Sequence, residues 1–98
     1  MSYRLIVKEE AYSDIKQAYE YYESNKLGLG ERFLDTLEIF VERIQKYPEH
    51  YQIKRKPYRE AFIKDFPYII IYELENDTVV IYAVFCTHKS PKSKPKKN

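Results

Sequence analysis

The chain has little of what most often fixes a small fold. Among its 98 residues there are one cysteine, one methionine, two glycines and no tryptophan. A single cysteine excludes an intrachain disulfide framework, and nothing in its usage points to an oxidising compartment. No stretch approaches the roughly 20 apolar residues of a membrane-spanning helix. The N-terminal MSYRLIVKEE also lacks the apolar core of a secretory signal. A cytoplasmic protein without membrane association is expected. Cys86 and His88 are two potential ligands with no further Cys or His beside them, too few for a closed metal site, so neither metal nor cofactor is expected.

What is present is aromatic and charged. Eleven tyrosines and five phenylalanines accompany an apolar content of 44% and a charged content of 33%, which describes one small globular domain whose core draws on tyrosines with a wet end. The net charge of +2 conceals an asymmetry, because five lysines and no acid lie in residues 87–98, leaving twelve basic against fifteen acidic groups before them. Lys8 to Glu49 is acidic, whereas Lys54, Arg55, Lys56, Arg59 and Lys64 face only Glu60 between Lys54 and Lys64. Positive potential thus gathers on the second half of the chain, where an anionic partner would dock. The domain is expected to span 1–88, with a basic, disordered tail over 89–98.

The hydrophobic period changes once along the chain. Tyr3 to Val7 alternates as a short strand. Ala11, Ile15, Ala18, Tyr19 and Tyr22 then recur at helical spacing, predicting a helix over Glu9–Lys26 with Asp14, Lys16, Glu20 and Glu23 turned outward and Gly28 closing it. Leu34, Leu37, Val41 and Ile44 predict a second helix over Glu31–Tyr47, stopped by Pro48. The link Leu27–Glu31 is short enough to make the pair an antiparallel hairpin. Beyond Pro48 the period is two: a short strand over Tyr51–Arg55, a clearer one over Arg59–Lys64, then Tyr68–Leu74, a turn at Glu75-Asn76-Asp77, and a uniformly apolar strand over Thr78–Cys86 that should lie inside the sheet. The fold class is α+β: an N-terminal strand and an antiparallel helical hairpin packed on a mainly antiparallel sheet, in the order β-α-α-β-β-β.

Arg59 shares a strand face with Ala61 and Ile63, a rigid mount from which a guanidinium can grip a phosphate bidentately. Lys54, Arg55, Lys56 and Lys89 could widen that surface, although runs of charge are usually solvated faces. His88 is the candidate acid or base near neutrality, since His50 sits in the loop just after Pro48. Tyr58, Tyr68, Tyr72 and Tyr82 could stack a nucleobase, but their first use is packing.

The order of elements and several motifs resemble the RelE/ParE toxins of type II toxin–antitoxin systems, above all the ParE-like, plasmid-stabilisation branch. The resemblance rests on Ala11-x-x-Asp14-Ile15-x-x-Ala18-x-x-Tyr21-Tyr22, on the GLGERFL link from Gly28 to Leu34, and on the proline after the second helix. It continues through Tyr58-Arg59, Phe66-Pro67-Tyr68, Ile71-Tyr72 and Ile81 to Phe85, covering about residues 3–91. It implies a growth-inhibiting toxin held inactive by a cognate antitoxin in a hetero-oligomer, the antitoxin entering the groove between hairpin and sheet and running along an exposed sheet edge. Three functions follow from it. The ParE branch poisons DNA gyrase by binding; the RelE branch cleaves ribosome-bound mRNA without a metal; a degenerate member would bind antitoxin alone. Cys86 stands where the family often carries histidine, and Lys92-Ser93-Lys94 replaces its aromatic residue after the proline. Binding is therefore the expected mode of action, with Arg59 and His88 the residues a nuclease would use.

Overall fold

The computed structural model describes residues 3–88, so the tail over 89–98, Lys89 included, lies outside the described residues. Strand β1 (Arg4–Val7) leads into helices α1 (Glu9–Asn25) and α2 (Leu29–Lys46), and a short 3₁₀ turn over Pro48–His50 precedes four strands: β2 (Ile53–Arg55), β3 (Tyr58–Phe62), β4 (Tyr68–Glu75) and β5 (Thr78–Cys86). The expected α+β arrangement is what the chain adopts, with one strand more than the β-α-α-β-β-β order counts, because Ile53–Arg55 does pair into the sheet.

Helix α1 opens with Glu9 and Glu10, whose charges complement the positive end of the helix dipole. It buries Ala11 and Ala18, small residues that let it lie close to the sheet. Helix α2 buries Phe33, Leu37 and Ile44 at helical spacing. The two helices approach closely at Gly30, where an added Cβ would come within 2.8 Å of both the Tyr19 ring and the Tyr19 carbonyl.

The link between the helices is shorter than the sequence suggests. Gly28 is left-handed (φ +89°), as expected, but it stands immediately before α2 rather than closing α1, which ends against Lys26 in an extended conformation. The cause is Glu23. Its two carboxylate oxygens accept from the amides of Gly28 and Gly30, each at 2.9 Å, and so satisfy two of the donors that a helix N-terminus leaves without intrahelical partners. With those amides bound, α2 starts at Leu29 instead of Glu31. Glu23, expected to face solvent, is the pin of the hairpin.

The sheet runs β1-β5-β4-β3-β2. β1 pairs parallel with β5, from Arg4 opposite Thr78 to Val7 opposite Ile81, and every other pairing is antiparallel. β5 is flanked on both sides, as its apolar run predicts, although β4 occupies the middle. The β4–β5 hairpin turns over Asn76 and Asp77, with Asn76 in the left-handed region (φ 54°) that asparagine tolerates better than most residues.

The main core lies between the hairpin and one sheet face, joining Phe33, Leu37 and Ile44 to Ala61, Ile70, Tyr72, Val79 and Ile81. Ile69, Ile71, Ala83 and Phe85 form a second cluster on the other face. β4 and β5 are apolar on both sides, which is why their sequence reads as a continuous run rather than an alternation. Among the described residues, no helix is long and apolar enough to cross a membrane.

Candidate functional site

Two places concentrate chemistry, one at each end of the sheet. The first is the edge made by β2. Lys54 and Arg55 lie on β2 and Lys56 follows it; all three are exposed. β3 runs beside them, with Ile53 opposite Arg59 and Arg55 opposite Tyr58. Arg59 points to the helix-covered face with Ala61 and Ile63, as alternation predicts, and is half-buried. Its Nη1 donates to the Tyr51 carbonyl at 2.6 Å. The Tyr51 ring meets Tyr72 edge-on (centroids 6.4 Å apart), and the Tyr72 hydroxyl, in a fully buried side chain, donates to the Pro48 carbonyl at 2.5 Å. Burial raises the Tyr72 pKa well above the usual tyrosine value, outweighing the nearby Arg59 charge, which acts in the opposite direction. His50, set aside as a loop residue, stands beside this network: its ring lies 5.3 Å from that of Tyr51, and with Arg43 and Tyr47 it lines a cleft of about 300 Å³.

The second place is a cavity of about 530 Å³ between α1 and the far ends of β4 and β5. Asp14, Gln17, Tyr21 and Tyr22 line it from the helix, and Tyr68 and Cys86 from the strands. His88 lines it too and is exposed. Asp14, expected to point to solvent, instead turns to the sheet, where its Oδ2 accepts from the Val84 amide at 3.0 Å. Burial, then the neighbouring Cys86 and Tyr22, push the Tyr68 hydroxyl well above its ordinary pKa; the Tyr22 hydroxyl is also raised, burial foremost. None of the helix residues of this cavity was singled out from the sequence as functional. The signal was present all the same: Asp14, Gln17, Ala18, Tyr21 and Tyr22 fall at i, i+3, i+4, i+7 and i+8, one stripe of a helix.

The structure therefore gathers Lys54, Arg55, Lys56 and Arg59 at one corner and leaves His88 elsewhere. Arg59 is opposite Tyr72, whereas Cys86, two residues before His88, is opposite Tyr68. Four positions along β4 separate the two levels, roughly 13 Å at the usual strand rise. Lys89 falls outside the described residues.

Comparison with known proteins agrees with this architecture. No curated protein matches the sequence. Among solved structures, a chain of the chromosomal ParDE toxin–antitoxin system from P. aeruginosa superposes with a TM-score of 0.79 at 11% sequence identity, covering 89% of this chain and 98% of its own. At that identity the likeness speaks for the fold. The model of the family described as the ParE toxin of the type II toxin–antitoxin system parDE matches residues 5–91, nearly all of the described residues. The chain belongs to the ParE toxin family.

Proposed function

We propose that this protein arrests growth by binding DNA gyrase in the cytoplasm and is neutralised by a cognate antitoxin in a hetero-oligomeric complex. Family membership supports the toxin role, and one geometric observation supports binding over catalysis. Metal-independent RNA cleavage needs a base, a cation and an acid within hydrogen-bond reach of one phosphodiester. Here Arg59 stands opposite Tyr72 and Cys86, two residues before His88, stands opposite Tyr68, four positions away along β4, and the Arg59 guanidinium is engaged by the Tyr51 carbonyl. The exposed cations Lys54, Arg55 and Lys56 on and after β2 are the target-facing groups in this reading, with Lys89 of the tail beside them in role. Arg59 supports that edge from beneath.

The test is to express the chain without antitoxin and follow DNA breaks, supercoiling and translation in parallel. DNA damage with translation initially intact is the expected result. Immediate translational arrest with mRNA cut at codon positions would replace this reading with a ribosome-dependent nuclease, and no arrest at all would reduce the chain to an antitoxin binder. Charge reversal at Lys54, Arg55 and Lys56 together is expected to relieve growth arrest while leaving the thermal transition in place.

A further inference from the structure

The sheet face turned away from the helices is apolar too, and carboxylates rim it. Ile69, Ile71, Ala83 and Phe85 form a cluster there, each at most 7% exposed. Among the described residues no helical side chain joins that cluster; the partly buried apolar group packed on it is Tyr58. Antiparallel sheets commonly leave one face to water, so burial this deep over two strands calls for a larger cover than one ring. Register places rings and acids around the cluster. Phe62 stands opposite Ile69 and is 62% exposed, while Glu60 stands opposite Ile71. Glu73, two positions beyond Ile71 and so on the same face, accepts from the Tyr82 hydroxyl at 3.1 Å, and the Tyr82 ring meets Tyr58 edge-on with centroids 5.2 Å apart. One lysine already lies on this surface: the Lys8 ammonium sits 5.7 Å from the centre of the Tyr82 ring.

We propose that residues 89–98 fold back over this face as an extended strap, laying lysine stems across the Phe85 and Phe62 rings and bringing their ammonium groups beside Glu60 and Glu73. The point of departure argues for it. β5 carries Ala83 and Phe85 and ends at Cys86, and Lys89 stands four positions after Phe85. Thr87 ties that exit to the start of β4, its amide and hydroxyl donating to the Pro67 carbonyl at 2.8 and 3.1 Å. Ten extended residues reach roughly 33 Å, whereas β5 and β3 lie two strand spacings, roughly 10 Å, apart. Charge argues for it as well: the segment holds five lysines and no acid, and the face offers Glu60 and Glu73. Pro91 and Pro95 fix their own φ and push Ser90 and Lys94 out of the helical region, which favours an extended backbone. Without large apolar residues the segment cannot order itself alone. On a preformed surface, lysine stems cover apolar groups and their heads are drawn to aromatic faces. The strap thus seals an apolar face that would otherwise favour self-association.

Methyl groups on the two faces provide the readout. Ile69 and Ile71 belong to the outer cluster, whereas Ile70 between them packs with the helices and serves as their internal control. Methyl NMR spectra of the full chain, labelled at isoleucine, valine and alanine, are compared with those of the chain ending at His88. Removing the tail should shift the Ile69, Ile71 and Ala83 methyls and leave those of Ile70 and Ala18 in place. Lys92→Gln, Lys94→Gln and Lys96→Gln together keep the full length and touch no residue of the described fold, so this triple variant decides alone if the shortened chain does not fold. It should move the same outer methyls toward their positions in the shortened chain. Outer methyls unmoved in the triple variant, or in a folded shortened chain, would overturn the proposal. Shifts confined to Ala18 and Val84, which line the cavity beside α1, would overturn it and assign the tail to that cavity. Outer-face shifts that grow with protein concentration and persist in the chain ending at His88 would overturn it in favour of a second copy.

Discussion

The Arg59 guanidinium belongs to a series of contacts that ties the 3₁₀ turn after α2 to the sheet. Arg59 holds the Tyr51 carbonyl, the Tyr51 ring abuts Tyr72, and Tyr72 holds the Pro48 carbonyl. Both carbonyls lie outside regular ladders, and a buried acceptor that loses its donor costs about 1–3 kcal/mol. Tyr72→Phe, which keeps the ring and removes only the hydroxyl, is therefore expected to lower stability by about 1–2 kcal/mol in urea unfolding. Arg59→Ala is expected to cost a similar amount, about 1–2 kcal/mol, even though Arg59 reads from the sequence as a phosphate-binding cation. The double variant tests the connection: because the two residues meet through Tyr51, their combined loss should fall short of the sum by about 0.5 kcal/mol or more. Strict additivity would show that they act separately. Any loss of toxicity in Arg59→Ala has to be weighed against this loss of stability.

The hairpin is set by contacts that helical periodicity does not display. Glu23 spends its charge on the first amides of α2, adding ionic hydrogen bonds where the helix dipole also favours an anion. Glu23→Ala should cost about 1–2 kcal/mol and speed hydrogen exchange of the Gly28 and Gly30 amides ahead of amides elsewhere in α2; unchanged exchange there would remove Glu23 as the pin. Gly30→Ala places a methyl against both the ring and the backbone of Tyr19. Since backbone cannot swing aside as a side chain can, overpacking of about 1–3 kcal/mol is expected, read as a lower melting temperature. These elements also show what the sequence could tell. Apolar spacing marked both helices because Ala11, Ala18, Phe33, Leu37 and Ile44 answer to a period set by geometry alone. It placed the start of α2 two residues late, because the binding of the Gly28 and Gly30 amides depends on a side chain reaching across from α1. Asp14 was read as solvent-facing for the same reason: its partner, the Val84 amide, lies seventy positions away in the chain. Long-range hydrogen bonds of this kind leave no local pattern, so the strand side that faces the helical stripe of the cavity at Cys86 was illegible on that account. The cationic edge at Lys54 to Arg59 was legible because it is nearly contiguous in sequence.

Over the whole molecule the tyrosine-rich composition has a consequence for stability that a leucine core would not share. Four tyrosines packed at or beside the core, Tyr22, Tyr68, Tyr72 and Tyr82, all have raised pKa values, with burial the first cause in each. For Tyr82, whose hydroxyl donates to Glu73 at 3.1 Å, the value is pushed up to about 12 by burial, then by that hydrogen bond and the Glu73 charge. Where the folded pKa exceeds the unfolded one, the folded chain keeps a proton that the unfolded chain gives up. The stabilisation is complete below the unfolded pKa of about 10 and is lost as pH rises through the folded value. The protein should hold a steady urea midpoint near neutrality and lose it progressively as pH rises from about 10 toward about 12. Tyr82→Phe should flatten that decline without abolishing it, because the other three tyrosines still titrate late. A midpoint independent of pH over this range, or a decline of equal slope in the Tyr82→Phe chain, would show that ionisation of the packed tyrosines does not govern alkaline unfolding.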